Sequence, residues 1–281
     1  MAIPSPLITF LVGIVLMLAG FWIGNNVNLL PIDASANAPV VDDLFRVLFI
    51  IGTILFLGIV GLLVFSLVRF RRRAGDTSDG LAIEGNLPLE IVWTAIPAIV
   101  VLFVGIYSYD IYERMGGMGA LNDHGMMHQA AMHDMAPQGA PDPEGPPPAR
   151  IWAGITTPAD GASVLPVEVT ALQFAFLFHY PDGDITSGEL HVPSGRPVQL
   201  RMEARDVIHA FWVPQFRLKQ DVIPGQPTVL SFTATRPGSY PIVCAELCGP
   251  YHGGMRSTVV VHEPDDFEAW VLKNTPATTS T

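Results

Sequence analysis

The sequence predicts a membrane-anchored protein: an α-helical transmembrane hairpin with a further apolar helix before it and an all-β sandwich after it. Three observations predict this. Long uncharged runs are confined to the first 110 or so of 281 residues. Short β-prone segments punctuated by turn residues begin near residue 150. Both cysteines, Cys244 and Cys248, fall in one loop of that second part, followed closely by a histidine and a methionine.

The uncharged runs are residues 7–23, 47–68 and 91–109. Each has about 17–22 residues, enough to cross a hydrocarbon core of roughly 30 Å at about 1.5 Å per residue. A core helix of a soluble protein would not be apolar on every face for so long. Arg69, Arg71, Arg72 and Arg73 close the second run, and Asp42 and Asp43 precede it. The positive-inside rule puts the arginines in the cytoplasm, so the third helix returns outward and delivers the rest of the chain to the outer face, periplasmic or lumenal. The first run (residues 1–30 with its flanks) reads as a signal peptide or a retained anchor. No Lys or Arg precedes it, and the nearest small-residue sites, Ala34-Ser35-Ala36 and Ala36-Asn37-Ala38, lie well past its end, so a retained helix is favoured. The hairpin occupies residues 40–110.

Residues 111–149 are rich in Gly, Pro, Met and His and end in Pro146-Pro147-Pro148. This composition cannot bury a core and reads as a linker. His124, His128 and His133 sit among Met126, Met127, Met132 and Met135, ligands that suit copper, but biased linker composition is the simpler account. From Asp110 onward there are 19 acidic residues against 10 Lys and Arg, a balance of −9 within the total of −11. Nucleic acid is therefore not an expected partner. A cationic protein is one, beside plain solubility.

Residues 150–273 form the predicted sandwich. Segments 164–173, 188–192, 198–204, 228–234 and 258–262 read as strands, bounded by turns such as Pro181-Asp182-Gly183, Pro224-Gly225 and Pro237-Gly238. About seven short strands at this spacing predict an antiparallel sandwich. Residues 265–272 read as a short closing helix and 274–281 as a disordered tail.

The chemistry lies in Cys244-Ala-Glu-Leu-Cys248-Gly-Pro-Tyr-His252-Gly-Gly-Met255. A copper electron-transfer site needs soft thiolate, imidazole and a weak thioether. The second imidazole must come from elsewhere, and His209 in Asp206-Val-Ile-His209-Ala-Phe-Trp212-Val-Pro is the candidate. A mononuclear blue-copper site uses one Cys. Two thiolates four positions apart can bridge two metal ions, and spreading one electron over both reduces the geometric change on reduction. Zinc accepts Cys2His2 but has no use for the Met. A disulfide leaves His252 and Met255 unexplained, and a thiol oxidoreductase wants Cys-x-x-Cys at a helix start.

The copper loop, the His209 segment and Leu89-Glu-Ile-Val-Trp93-Thr-x-Ile-Pro97 together resemble cytochrome c oxidase subunit II, from about residue 40 to 272. The extra N-terminal helix and the arginine cluster look like the bacterial, cyanobacterial form. The resemblance implies a cupredoxin-like Greek-key sandwich behind helices that pack on subunit I, with subunit III as a further partner. It implies a binuclear copper (CuA) centre held by His209, Cys244, Cys248, His252, Met255 and the backbone carbonyl of Glu246. The Glu246 side chain would reach a magnesium ion shared with subunit I. Glu90 matches a carboxylate at the mouth of a proton path, or is an acid favoured by a helix N-terminus. The chain would accept electrons from cytochrome c or a copper-protein donor and pass them to haem in subunit I, for reduction of oxygen to water coupled to proton pumping.

Many relatives carry Gln-Trp-x-Trp, whose first Trp admits the electron. Here the segment is Gln173-Phe174-Ala175-Phe176, with Phe174 in that place and without an indole N–H. Asp182, Asp184, Glu189 and Asp206, near this segment or His209, are expected to attract a cationic donor. No Cys-x-x-Cys-His occurs, so the fused cytochrome c domain of some relatives is not expected here. Two other readings stand: the copper-bearing subunit of another terminal reductase, against which Glu90 and Glu246 argue, and a membrane-anchored copper carrier, which needs a more open site.

Overall fold

The computed structural model describes residues 5–72, 75, 85–114, 152–153 and 164–276. The Met/His-rich linker after Arg114 and the tail from residue 277 lie outside them. The chain divides into two compact units, one built from the helices and one that contains the β-domain.

The first unit holds α1 (Ser5–Asn26), α2 (Ala38–Arg69) and α3 (Leu87–Arg114). All three are long and apolar enough to cross a membrane, and few or none of the residues in their most apolar stretches are buried within the chain. Gly20 and Gly24, four residues apart on α1, lie against Ile54 and Ile50 of α2, where a Cβ on either glycine would overlap the isoleucine. Small residues at this spacing let helix backbones approach closely in lipid. At α3 the Asn86 side chain accepts from Leu89 N–H at 3.2 Å, which caps the helix, and Glu90 stands in the first turn.

The second unit is a two-layer β-sandwich. Its strands are β1 (Trp152–Ala153), β2 (Leu165–Leu172), β3 (Ala175–Tyr180), β4 (Ile185–Ser187), β5 (Leu190–Pro193), β6 (Pro197–Ala204), β7 (His209–Val213), β8 (Leu218–Val222), β9 (Thr228–Thr233), β10 (Gly238–Cys244) and β11 (Arg256–His262). One sheet runs β1-β9-β6-β2-β3-β4 and the other β5-β11-β10-β7-β8. Alternation drives the layering: Leu165, Val167, Val169 and Ala171 of β2 and Val198, Leu200, Met202 and Ala204 of β6 point inward. The five expected strands are present as β2, β5, β6, β9 and β11, His209 opens β7, and further strands form at β1, β3, β4, β8 and β10. The pairing is mixed rather than antiparallel throughout, because β2 pairs β6 and β5 pairs β11 in parallel. The chain crosses between sheets after β4 and after β5, so strands distant in sequence become neighbours with a common direction.

The closing helix α4 (Pro264–Asn274) buries Phe267 and lays Trp270 flat on His191 of β5, with ring centres 4.2 Å apart. His191 Nδ1 and His262 Nε2 approach to 2.9 Å beneath it.

The segment Pro31–Val41, between α1 and α2, belongs to this second unit. Ala34 N–H donates to Gln215 C=O, Thr235 N–H to Ala34 C=O and Ala36 N–H to Thr233 C=O, each at 3.0 Å. The Ser35 hydroxyl donates to Phe216 C=O at 2.9 Å. Ala34, Ser35 and Ala38, members of the two small-residue sites, are buried.

Candidate metal centre

Two strands and one loop build the site. β7 pairs antiparallel with β10, so that Phe211 faces Cys244, and Ala245 N–H donates to Ala210 C=O just beyond. This register brings His209, at the start of β7, beside the last residue of β10. The loop from Cys244 to Met255 then closes on itself, with Cys244 N–H donating to Met255 C=O at 3.2 Å. Inside it, residues His252–Gly254 form a 3-10 turn. Gly249 has φ +139, and a Cβ there would press on the Gln173 side chain and the Phe174 ring. Only glycine fits both the conformation and the space.

The donor atoms converge. Cys244 Sγ and Cys248 Sγ are 3.9 Å apart and form no disulfide. His209 Nδ1 lies 3.9 Å from Cys244 Sγ, and His252 Nδ1 lies 3.6 Å from Cys248 Sγ. Met255 Sδ is 3.7 Å from Cys248 Sγ, and Glu246 C=O is 3.3 Å from Cys244 Sγ. His209, Cys244 and Cys248 alone place three ligand atoms within 4.8 Å of one another. Both cysteines are 2% exposed, and His209 and Met255 are fully buried. Burial and the neighbouring Cys244 push the Cys248 thiol up to about 11. The Cys248 thiol, buried and close to a second sulfur, resists ionising, and a soft cation bound there would remove that penalty. The thiols, imidazoles, thioether and carbonyl therefore fit a soft metal, with one imidazole beside each sulfur.

Asp206 holds this arrangement from behind. Its Oδ1 accepts from His209 Nε2 at 2.8 Å and from Val207 N–H at 2.7 Å, and its Oδ2 accepts from Gln173 N–H at 2.6 Å. Burial works to raise its pKa, but hydrogen bonds from His209, Gln173 and Val207 together hold it below the ordinary carboxylate value. With Nε2 protonated toward Asp206, the lone pair of Nδ1 faces the sulfur. The Gln173 side-chain amide donates to Cys248 C=O and ties the β2–β3 turn to the ligand loop.

The other expected residues are spread out. The Phe174 ring is half-buried against the core and meets Tyr251 edge-on, with centres 5.4 Å apart. The Glu246 carboxylate is half-exposed and accepts from Lys219 Nζ at 3.1 Å, while Lys219 also reaches Asp221 at 3.4 Å. Its hydrogen bond to Glu246, and then the charge of Asp221, raise the Lys219 pKa despite partial burial. Of the four docking acids, only Asp206 adjoins the metal ligands, where His209 occupies it. Asp182 and Asp184 follow the far end of β3, six residues from Phe174, or about 20 Å of strand away. Glu189 approaches His191 Nε2 at 3.9 Å. Glu90 lies in α3, in the other unit.

Gln173, Lys219 and Tyr251 escaped sequence reasoning as site residues. Gln173 and Lys219 make contacts across 75 and 27 residues, which no local pattern announces. Tyr251 sat inside the ligand motif and could have been found there.

Comparison with known proteins identifies the family. The family model for the cytochrome c oxidase subunit II transmembrane domain matches residues 20–111, and that for its periplasmic domain matches residues 184–263. Cytochrome c oxidase subunit 2 of Thermostichus vulcanus is 49% identical, over 97% of this chain and 86% of its own length. That of Synechocystis sp. is 46% identical, over 99% of this chain and 86% of its own length. The crystal structure of the periplasmic domain of cytochrome oxidase subunit II from Bradyrhizobium japonicum aligns at 30% identity and TM-score 0.38, over 39% of this chain and 92% of that one. Matching models for both parts, and close to half identity over nearly the whole chain, establish that it belongs to the cytochrome c oxidase subunit II family, part of a haem-copper oxidoreductase complex.

Proposed function

We propose that this chain holds a binuclear copper (CuA) centre through His209, Cys244, Cys248, His252, Met255 and the carbonyl of Glu246, and is the point at which electrons enter the oxidase from a soluble donor. The observation that carries the reading is the pair of buried, unbridged thiols at 3.9 Å, each with an imidazole nitrogen beside it. When bound, a copper pair supplies a one-electron acceptor whose charge is shared between two ions. The chain's own residues do the rest. Asp206 orients His209, Gln173 anchors the loop at Cys248, and buried Met255 keeps water out. A rigid ligand cage of this kind lowers the rearrangement that accompanies each electron.

Electrons pass on to haem in subunit I, where oxygen is reduced to water with proton pumping. Subunit III completes the complex, and cytochrome c or a small copper protein is the donor. The three helices anchor the chain across the membrane, with the copper domain on the outer side. Glu246 lends its side chain to a magnesium ion at the subunit I boundary, a hard oxygen ligand on the residue whose carbonyl serves copper. Glu90 stands at the mouth of a proton path. Asp182, Asp184, Glu189 and Asp206 contribute to an acidic field that steers a cationic donor.

Metal analysis and redox titration of the purified complex test the copper reading. Two coppers assigned to this chain and a reversible one-electron visible chromophore are expected. One copper, zinc in preference, or no reversible chromophore, as a copper carrier would give, overturns it. The steering is read from salt dependence. Second-order rates with a basic cytochrome c should fall as the Debye length shrinks from about 10 Å at 0.1 M to about 3 Å at 1 M.

A further inference from the structure

Tyr251 is the residue between the two halves of the ligand loop, one peptide bond from His252 and three residues from Cys248. Large aromatic rings are normally covered, yet Tyr251 is 71% exposed. It is not a loose side chain. Its ring meets Phe174 edge to face at 5.4 Å and 79°, and Phe174 in turn is packed on the sandwich core. The backbone on either side is pinned, with Gly254 N–H donating to Tyr251 C=O at 2.9 Å and His252 N–H to Gly249 C=O at 3.1 Å. The result is a rigid ring held out into solvent by the loop that carries the metal ligands.

Exposed, preorganised aromatic rings are the side chains that most often anchor protein interfaces. The neighbourhood extends the apolar rim. Asp206 binds Gln173 N–H, which ties the turn at Val207 and Ile208, 38% and 47% exposed, to the residue that precedes Phe174. Phe174 itself is the lesser contact, being half-buried beneath Tyr251 and beside Gly249, with its neighbour Gln173 tied to Cys248 C=O.

Resting on the copper reading above, we infer that Tyr251 is the docking anchor for the electron donor, with Phe174 supporting it from the core side. The partner that fits is a soluble redox protein that brings the edge of a flat conjugated cofactor to an apolar surface and carries net positive charge. The apolar part matches the Tyr251 rim, and the charge matches the −9 balance from Asp110 onward. In the step itself one electron leaves the donor cofactor and is taken up at the metal pair. No bond forms or breaks and no proton moves. The ring therefore acts as a contact, and its hydroxyl is dispensable.

The test uses the intact complex with three variants of this chain: Tyr251→Ala, Tyr251→Phe and Phe174→Ala. Copper content and the visible spectrum are checked first. Electron uptake is then followed by stopped flow from a basic cytochrome c and from hexaammineruthenium(II), a small donor that needs no protein interface. Equilibrium affinity for the oxidised cytochrome c is measured separately. Tyr251→Ala should lower the ratio of the cytochrome c rate to the ruthenium rate about tenfold, and weaken cytochrome c binding to a similar degree. Tyr251→Phe should lose far less of either. A Tyr251→Ala complex with unaltered cytochrome c rate and affinity overturns the inference, as does a larger loss in Phe174→Ala. A loss in Tyr251→Ala that strikes both donors equally and alters the spectrum also overturns it, by showing that the residue acts through the metal. A wild-type complex without two coppers sinks the copper reading itself, a failure visible before any variant is compared.

Discussion

Asp206 Oδ1 stands 2.8 Å from Nε2 of His209, on the side of the ring away from Cys244. A carboxylate in this position fixes the tautomer and makes the ring a better ligand. Asp206→Ala should weaken copper retention about tenfold or more. It should also raise the reduction potential, because the ring then stabilises the oxidised pair less. Asp206→Asn, which can still accept from Nε2, should lie between. Chelator competition and redox titration measure both.

Cys244 and Cys248 share the metal site but not the same neighbours: His209 and Glu246 C=O flank the first, and His252 and Met255 flank the second. Cys244→Ser would remove one of the two thiols proposed to hold the copper pair and leave the Cys248, His252 and Met255 set intact. Metal analysis should then find one copper or none in place of two.

Lys219 occupies the Glu246 carboxylate that the proposed magnesium would need, and its ammonium contacts Asp221 as well. In Glu246→Gln the shape is kept and the charge is lost. Two coppers should remain, while manganese substituted at the proposed magnesium position should lose occupancy by EPR and electron transfer onward to haem should slow. Lys219→Met should shift manganese occupancy the other way, by freeing the carboxylate.

His191 governs an expected acid sensitivity. Burial first, and His262 second, lower its pKa from 6.5 to about 4. The His262 pKa is lowered too, by burial, against the charge of Asp266. Glu189 faces His191 at 3.9 Å, and Tyr180 and Trp270 complete its surroundings. Between about 4 and 6.5 the unfolded chain binds more protons at this position than the folded one. Stability is therefore full above pH 6.5 and falls as pH drops toward 4, with a slope for His191 below about 1.4 kcal/mol per unit. Denaturation of the β-domain followed across this range should show the fall. In His191→Gln it should flatten.

Much of this was legible in the chain itself. Three uncharged runs of membrane-spanning length admit few other local structures, and they became α1, α2 and α3. The candidate ligands Cys244, Cys248, His252 and Met255 lie in one loop, so their spacing alone sufficed to propose a soft-metal site there. The closing helix followed from its pattern, expected at 265–272 and found at Pro264–Asn274. β3, β8 and β10 were less legible. Phe176 and Phe178 alternate inward on β3, but the strand expected at 164–173 stops short of it, at the Gln173-Phe174 turn that follows β2.

The tertiary structure decided what lies between distant segments. His209 reaches Cys244 only because β7 pairs with β10 in a register that both buried faces impose. The same folding turns Asp206 toward His209, where the sequence left it an acid for docking, and parts it from Asp182 and Asp184 by the length of β3. It sets Lys219 on Glu246, seats residues 31–41 on the sandwich and brings Phe174 under Tyr251. Spacing along the chain determines which groups a single helix or loop can present together. Register between strands is chosen by burying whole sheet faces at once, and no short stretch of sequence carries that sum.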